Sequence, residues 1–117
     1  MTSIGKWMLA GLIAGFSPVS MASTDLEAEY VAAIHSSVLA NWIAPATLKP
    51  GSRCEVKVVQ LPGGTIASAT ATADCEFDEA GKASIEAAVL RAQPLPYRGF
   101  ESVFQRWMML TFQVPSR

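Results

Sequence analysis

The sequence has few residues of the kinds that nucleic-acid binding, metal binding or catalysis would require. Nine Lys and Arg residues are balanced by ten Asp and Glu residues, whereas a nucleic-acid surface needs a basic excess. The only histidine, His35, has no obvious Cys or Ser partner for nucleophilic catalysis and is expected to be a surface or boundary residue. It lies on another segment from the two cysteines, Cys54 and Cys75, so a metal site there would lack a histidine ligand. We therefore expect no enzyme activity, no cofactor and no nucleic-acid partner.

Long apolar runs are also scarce. One run, residues 7–16, follows the basic Lys6, and it is about half the ~20 residues that a membrane-spanning helix needs. Ser20 and Ala22 supply small residues at the −3 and −1 positions of a cleavage site. The pattern predicts that residues 1–22 are a cleaved signal peptide, with a retained anchor as the alternative. No cysteine comes directly after the apolar run, so a lipoprotein is not expected.

Removal of this leader would leave one mildly acidic domain, residues 23–117. Loss of Lys6 leaves eight basic against ten acidic side chains. No other segment of the sequence is apolar enough to predict a membrane span. Export would bring the chain into an oxidising compartment, where paired cysteines form disulfides.

A first helix is expected within residues 23–45. Thr24 and Glu27 have the spacing of a capping box, and Pro45 ends the helical pattern. Apolar residues recur at helical spacing and predict the buried stripe: Tyr30/Val31, Ile34, Val38 and Trp42.

Two β-rich runs follow, joined by a Pro-Gly-Gly turn. Alternation in the first run places one set of side chains on a common face: Cys54, Val56, Val58 and Gln60. In the second run the alternating alanines share a face: Ala67, Ala69, Ala71 and Ala73. Period-2 alternation indicates a sheet with one covered face. Pairing around Gly63-Gly64 would set the valines beside the alanines.

The two cysteines meet in this hairpin. Cys75 has the same parity as the alanines, so it falls on the face of Cys54, at the open end of the hairpin. A Cys54–Cys75 disulfide would close a loop of about 20 residues and stabilise the fold by about 3 kcal/mol on the chain-entropy model. A two-ligand metal site is the competing interpretation.

A second helix and a last strand complete the chain. Within residues 78–96, Asp78 is the expected cap and Pro94 ends the helix. The apolar stripe of this helix consists of Ile85, Ala88, Val89 and Ala92. Residues 103–114 have strand composition, with alternate residues expected in the core, and Pro115 ends the strand.

The order helix, strand, strand, helix, strand restricts the topology. A right-handed crossover would make the third strand parallel to the second, with the first strand between them. The sequence therefore predicts an α+β fold in which two helices pack on one face of a three-stranded, antiparallel-type sheet. The third strand would be an edge.

Several segments together resemble a known family. They are residues 34–45 (IHSSVLANWIAP), 54–64 (CEVKVVQLPGG), 84–96 (SIEAAVLRAQPLP), Phe104, and 110–112 (LTF). In this order, with the two cysteines, they are similar to the TolA/TonB C-terminal domain family, and in particular to the C-terminal domain of TolA. The resemblance runs from Tyr30 to Pro115.

The resemblance implies a protein-binding domain of the bacterial periplasm. TolA-like domains engage Tol-Pal partners such as TolB and Pal, and colicins and filamentous phage coat proteins exploit them. TonB-like domains hold a short peptide of outer-membrane transporters. Several of these contacts add a strand to the sheet edge. Since a signal peptide stands here in place of a membrane anchor and long helical rod, we expect partner binding rather than energy transduction.

The last strand is the expected docking site. An edge strand offers unpaired backbone groups to another chain, and residues 107–114 contain no charged residue and no proline. Trp107 and Met109 would lie on the open face if Leu110 and Phe112 are core. The predicted partner-binding residues are Arg106, Trp107, Met108, Met109, Leu110, Thr111, Phe112 and Gln113. An edge covered by the chain's own termini, or a homodimer contact, is the alternative.

An acidic cluster after Cys75 consists of Asp74, Glu76, Asp78 and Glu79. It lacks the ligand spacing of a calcium loop, so we expect a solvated helix start rather than a cation site.

The sequence thus predicts a periplasmic, TolA-like domain that binds cell-envelope partners by strand addition. One alternative is a TonB-like or secretion-associated adaptor that uses the same edge for a different peptide. Another is a decoy or inhibitor that occupies a Tol partner without transmitting force.

Overall fold

The computed structural model describes residues 18–116, with side chains described from residue 25. The elements, in order, are α1 (Pro18–Ala40), β1 (Arg53–Gln60), β2 (Ile66–Ala71), α2 (Glu79–Arg91), a short 3-10 helix (Glu101–Val103) and β3 (Trp107–Gln113). Most of the proposed signal peptide lies outside the described residues, and the proposed cleavage point after Ala22 falls within α1.

The three strands form one antiparallel sheet in the order β2-β1-β3. The predicted strand order and α+β class are therefore confirmed, and β3 is an edge as expected. A three-stranded sheet has two edges, and β2 forms the other one.

Both helices pack on one face of the sheet. Alternate residues of β1 and β3 are buried beneath them, and Gln60 is the buried polar residue of that face. The helices contribute the rest of the core, chiefly Tyr30, Ile34 and Val38 from α1 and Ile85, Ala88 and Val89 from α2. The opposite face of the sheet carries no helix in the described part of the chain.

The limits of α1 differ from the predicted ones. The helix begins at Pro18, a residue suited to a first helical turn, so Thr24 lies inside it and is not its cap. It ends at Ala40 rather than at Pro45, because the amides of Asn41 and Trp42 make i→i−3 bonds to Val38 and Leu39 that tighten the last turn.

The predicted stripe of α1 is correct for three residues. Tyr30, Ile34 and Val38 are fully buried. Val31 is 38% exposed, because it lies about 100° around the helix from Tyr30. Trp42 lies beyond the helix end, where its Nε1 donates to the Ser84 hydroxyl at 2.9 Å.

The hairpin has the predicted register near its open end but not near its turn. Val56 pairs with Ala71 and Val58 with Ala69, as expected. The register shifts between Val59 and Gln60, so Ala67 is exposed and does not share the face of Ala69 and Ala71. This β-bulge arises because one extra residue of β2 is accommodated opposite β1. Ala73 does not share the face of Ala69 and Ala71 either, because β2 ends at Ala71 and the chain turns at residues 73–74, where Ala73 is exposed.

β3 begins later than predicted. Residues 101–103 form a 3-10 turn, in which the Val103 amide bonds to the Phe100 carbonyl and the Phe104 amide to Glu101. Val103 and Phe104 pack against the core rather than pairing in the sheet, so these two residues are not part of the edge strand.

The cysteine pairing and the cap of the second helix are as predicted, whereas α2 ends at Arg91, before the predicted end at Pro94. Cys54 and Cys75 form a disulfide. The Asp78 side chain caps α2 by accepting a hydrogen bond from the Gly81 amide at 2.8 Å.

Candidate functional site

The edge strand β3 alternates between core and solvent. Met108, Leu110 and Phe112 are buried beneath the helices, and the residues between them are exposed. This alternation follows from the strand period of two.

The backbone groups of β3 alternate in the same way. Gln60 donates its amide to the Arg106 carbonyl at 2.8 Å, and Val114 donates its amide to the Ser52 carbonyl at 2.9 Å. Both pairs continue the β1–β3 register. Since hydrogen-bonded and non-bonded pairs alternate along an antiparallel ladder, the even-numbered residues of β3 direct their N–H and C=O groups to β1.

The odd-numbered residues direct theirs away from the sheet. They are Trp107, Met109, Thr111 and Gln113. Among residues 18–116, none of these four amides has a hydrogen-bond partner, either in the β1–β3 ladder or among the side chains. The edge therefore presents a row of free donors, with acceptors between them, to any extended chain that lies alongside it.

One outward carbonyl of this row is occupied. The imidazole of His35, on α1, lies with Nε2 3.1 Å from the Thr111 carbonyl oxygen. The same ring stacks on Phe112, with centroids 4.7 Å apart and an interplanar angle of 13°. The sequence indicated only a surface or boundary histidine, and no local signal could reveal this contact, because His35 and Thr111 are 76 residues apart.

The open face beside the edge is partly apolar. Trp107 is 58% and Met109 46% exposed, as the parity of the strand predicts. The Lys57 ammonium of β1 lies 5.5 Å from the centre of the Trp107 ring, a cation–π geometry that restrains the indole. Side chains of a docked strand that face this side would meet these two hydrophobic residues.

The other edge of the sheet is treated differently. In β2, the outward amide of Ala71 donates to Glu86 of α2 at 2.7 Å. The Ile66 amide donates to the Gln93 side chain at 2.9 Å. Side chains in α2 and just after it therefore satisfy two of the outward donors of β2.

The acidic cluster is divided among separate structural contacts. The carboxylate of Glu76 accepts the Arg53 amide at 2.9 Å, Asp78 caps α2, and Glu79 lies 3.8 Å from Lys82. Within residues 18–116, no group of three or more His, Cys, Asp or Glu side chains is arranged to hold a metal ion. The predicted role of Asp78 at a helix start is confirmed.

Hydrogen bonds also change the pKa of the capping residue, Asp78. The pKa of Asp78 lies below its ordinary value, chiefly because the Gly81 amide donates to the carboxylate and secondly because Thr47 does so through its side chain. Ionised Asp78 is thus the form that the fold favours.

The fold has a counterpart among known proteins. Residues 27–112 match the family described as TonB C terminal, and this chain belongs to that family. The expected family is therefore confirmed.

A similar solved structure is the solution NMR structure of TolAIII bound to a peptide derived from the N-terminus of TolB. The two folds superpose with a TM-score of 0.57 at 22% identity, over 93% of this chain and 84% of the other. At this identity the likeness establishes the shared fold. No curated protein sequence matches this chain.

No helix within residues 18–116 is both long and apolar enough to cross a bilayer.

Proposed function

We propose that this domain binds an extended segment of a cell-envelope protein by strand addition to β3. The observation that carries the proposal is the row of unpartnered outward amides at Trp107, Met109, Thr111 and Gln113. Main-chain hydrogen bonds would supply affinity, and alternate side chains of the partner would supply selectivity. The predicted binding residues divide accordingly: Met108, Leu110 and Phe112 fix the strand in the core, whereas the odd-numbered residues meet the partner. Arg106 lies exposed just before β3, and its carbonyl accepts from the Gln60 amide rather than facing the partner.

The partner proposed is a protein of the TolB kind. The TolAIII structure with its TolB-derived peptide supports this choice, because that domain shares this fold. Pal-like proteins, colicins and phage coat proteins are further candidates of the same class. A TonB-like adaptor would use the same edge with a different peptide, and a decoy would bind the same partner without transmitting force.

The place of action proposed is the periplasm, after cleavage of residues 1–22. The Cys54–Cys75 disulfide supports an oxidising compartment, since disulfides persist there and are rare in the cytosol. The absence of enzyme activity stays a prediction.

Replacing Met109 by proline tests the docking edge. The Met109 amide points outward, so proline removes a donor for the partner without removing a β1–β3 hydrogen bond. An acceptor of the partner left unpaired costs about 1–3 kcal/mol, and 1.4 kcal/mol is tenfold in Kd. We therefore expect Met109→Pro to weaken binding of the TolB-derived peptide by about tenfold or more, measured by calorimetry.

Ala69→Pro provides the matched control. Ala69 also has an outward amide, by the parity of the Val58–Ala69 pair, but it lies on the opposite edge. Binding by Ala69→Pro should stay near that of the unaltered protein, and both variants should keep a folded amide spectrum. Equal weakening by the two prolines, or none by Met109→Pro, would contradict docking at β3.

A further inference from the structure

The contact between His35 and β3 makes the docking edge uneven. Its imidazole is held twice, by the ring of Phe112 at 4.7 Å and by the Thr111 carbonyl at 3.1 Å. A carbonyl oxygen only accepts, so Nε2 carries the proton and donates. The α1 residues one turn away, Val31 and Leu39, are uncharged and 38% and 42% exposed.

The four outward carbonyls of β3 are consequently not equivalent. Those of Trp107, Met109 and Gln113 have no hydrogen-bond partner in the described part of the chain. The Thr111 carbonyl already accepts the proton of His35. A partner strand therefore meets three free acceptors and one that is occupied.

This difference has a consequence for the partner's backbone. In either strand direction, one incoming N–H group faces each outward carbonyl. The N–H that faces Thr111 would have to share its acceptor with His35, because one of the two lone pairs of that carbonyl oxygen already accepts from the imidazole. A backbone donor whose acceptor is shared is bonded less well than the donors that face the three free carbonyls.

Proline is the residue without that donor. Its carbonyl would still accept the Thr111 amide in an antiparallel complex, or the Gln113 amide in a parallel one. Its ring would lie beside the imidazole of His35, flanked by the exposed methyl groups of Val31 and Leu39. Proline at any other inward-facing position would instead leave the carbonyl of Trp107, Met109 or Gln113 unpaired.

We propose that His35 makes this edge selective for an extended segment with proline at the position whose nitrogen faces the Thr111 carbonyl. The inference rests on the proposed strand addition at β3 and specifies the kind of segment that binds. His35 acts in it as a specificity-determining residue.

A display library of random ten-residue peptides tests the proposal. Selection on the unaltered protein should enrich β-rich peptides with proline at one fixed position, in close contact with His35 and Thr111 by nuclear Overhauser effects. In a selected peptide, replacing that proline by alanine should weaken binding to the unaltered protein at least about tenfold.

His35→Phe keeps an aromatic ring on Phe112 but removes the donor. On this variant the same proline-to-alanine change should alter affinity by less than about threefold, and selection should no longer fix a proline. His35→Leu, a good helix former without a donor, serves if the Phe variant does not fold. The comparison of the proline and alanine peptides on the unaltered protein tests the proposal even if neither variant folds.

The outcomes separate this inference from the proposed function. Binders that perturb the amide signals of β3 but contain no fixed proline would overturn the inference and leave strand addition standing, since the Thr111 carbonyl would then be shared without loss of affinity, or freed. Recovery of no binder, or of binders that leave β3 unperturbed, would overturn both.

Discussion

The two edges of the sheet, β2 and β3, flank the same central strand but dispose of their outward backbone groups in different ways. At β2, acceptor side chains from and just after α2 take up two outward amides, those of Ala71 and Ile66. A β-bulge next to the turn further interrupts that edge.

At β3 the neighbouring helix supplies a donor instead. His35 of α1 reaches one outward carbonyl, and no side chain of the described residues accepts from the outward amides of β3. The edge is also free of charge and proline from Trp107 to Val114.

This difference shows that the polar side chains of the neighbouring helix determine which backbone groups of each edge remain free. Both helices bury apolar stripes on the same face, so packing alone does not distinguish the edges. What distinguishes them is the type of polar side chain that each helix directs past the sheet. Glu86 and Gln93 satisfy two donors and so partly close the β2 edge, whereas His35 satisfies one acceptor and leaves the donors of β3 available.

Removing the Cys54–Cys75 disulfide should destabilise the β2 side of the sheet more than the β3 side. The bridge joins β1 to the segment after β2, across a sequence separation of 21, and it includes no residue of β3. Loss of a disulfide that closes a loop of this length costs about 3 kcal/mol of stability on the chain-entropy model. We expect reduction to lower the free energy of unfolding by about that amount, measured by urea denaturation with and without reductant.

The oxidised protein is its own control, because every side chain except the two sulfurs is unchanged. Amide exchange should also accelerate at Ser68 and Thr70 of β2 more than at Leu110 of β3. An unchanged denaturation midpoint after complete reduction would be inconsistent with this prediction.

Replacing Glu86 by alanine should open the closed edge. The Ala71 amide would lose its acceptor, and a part-buried donor left unpaired costs about 1–2 kcal/mol. Glu86→Gln retains an acceptor oxygen and is the control. Thermal or urea unfolding should rank the unaltered protein and Glu86→Gln above Glu86→Ala, and exchange at the Ala71 amide should be fastest in Glu86→Ala. Equal stability of the two variants would show that the acceptor is not needed.

Local patterns were sufficient to predict much of this fold. Parity within the hairpin predicted the pairing of Cys54 and Cys75, and an acidic residue before an apolar stripe predicted the Asp78 cap. The crossover rule then gave the strand order from the element order alone.

Features that depend on distant residues were not predictable. The loop after α1 is fixed by contacts from far along the chain, since Arg91 donates to the Asn41 carbonyl at 2.6 Å and Trp42 reaches Ser84. The start of β3 depends on Phe104, whose ring packs edge-on against Tyr97. The polar contacts at the two edges have the same non-local origin, so the sequence indicated an available edge at β3 but not the role of His35.

A change at Asp78 should have the smallest effect on the difference between the β2 and β3 edges. Asp78 affects the β2 edge only indirectly, by capping α2. Its pKa is held below the ordinary value of 3.8, first by the Gly81 amide and then by Thr47. A carboxylate with a depressed folded pKa stabilises the fold above its unfolded pKa, and this contribution is lost as pH falls through the folded pKa. Acidification should therefore loosen the start of α2 before it affects β3.

The variant Asp78→Asn isolates this effect, because it keeps a capping oxygen but does not titrate. The difference in melting temperature between the unaltered protein and Asp78→Asn should be constant from neutral pH to about pH 5 and should narrow below about pH 4. Asp78→Ala, which has no cap at all, should melt lowest at neutral pH. A difference that widens on acidification would mean that the ionised carboxylate does not stabilise α2, and the closed edge would then depend on Glu86 and Gln93 alone.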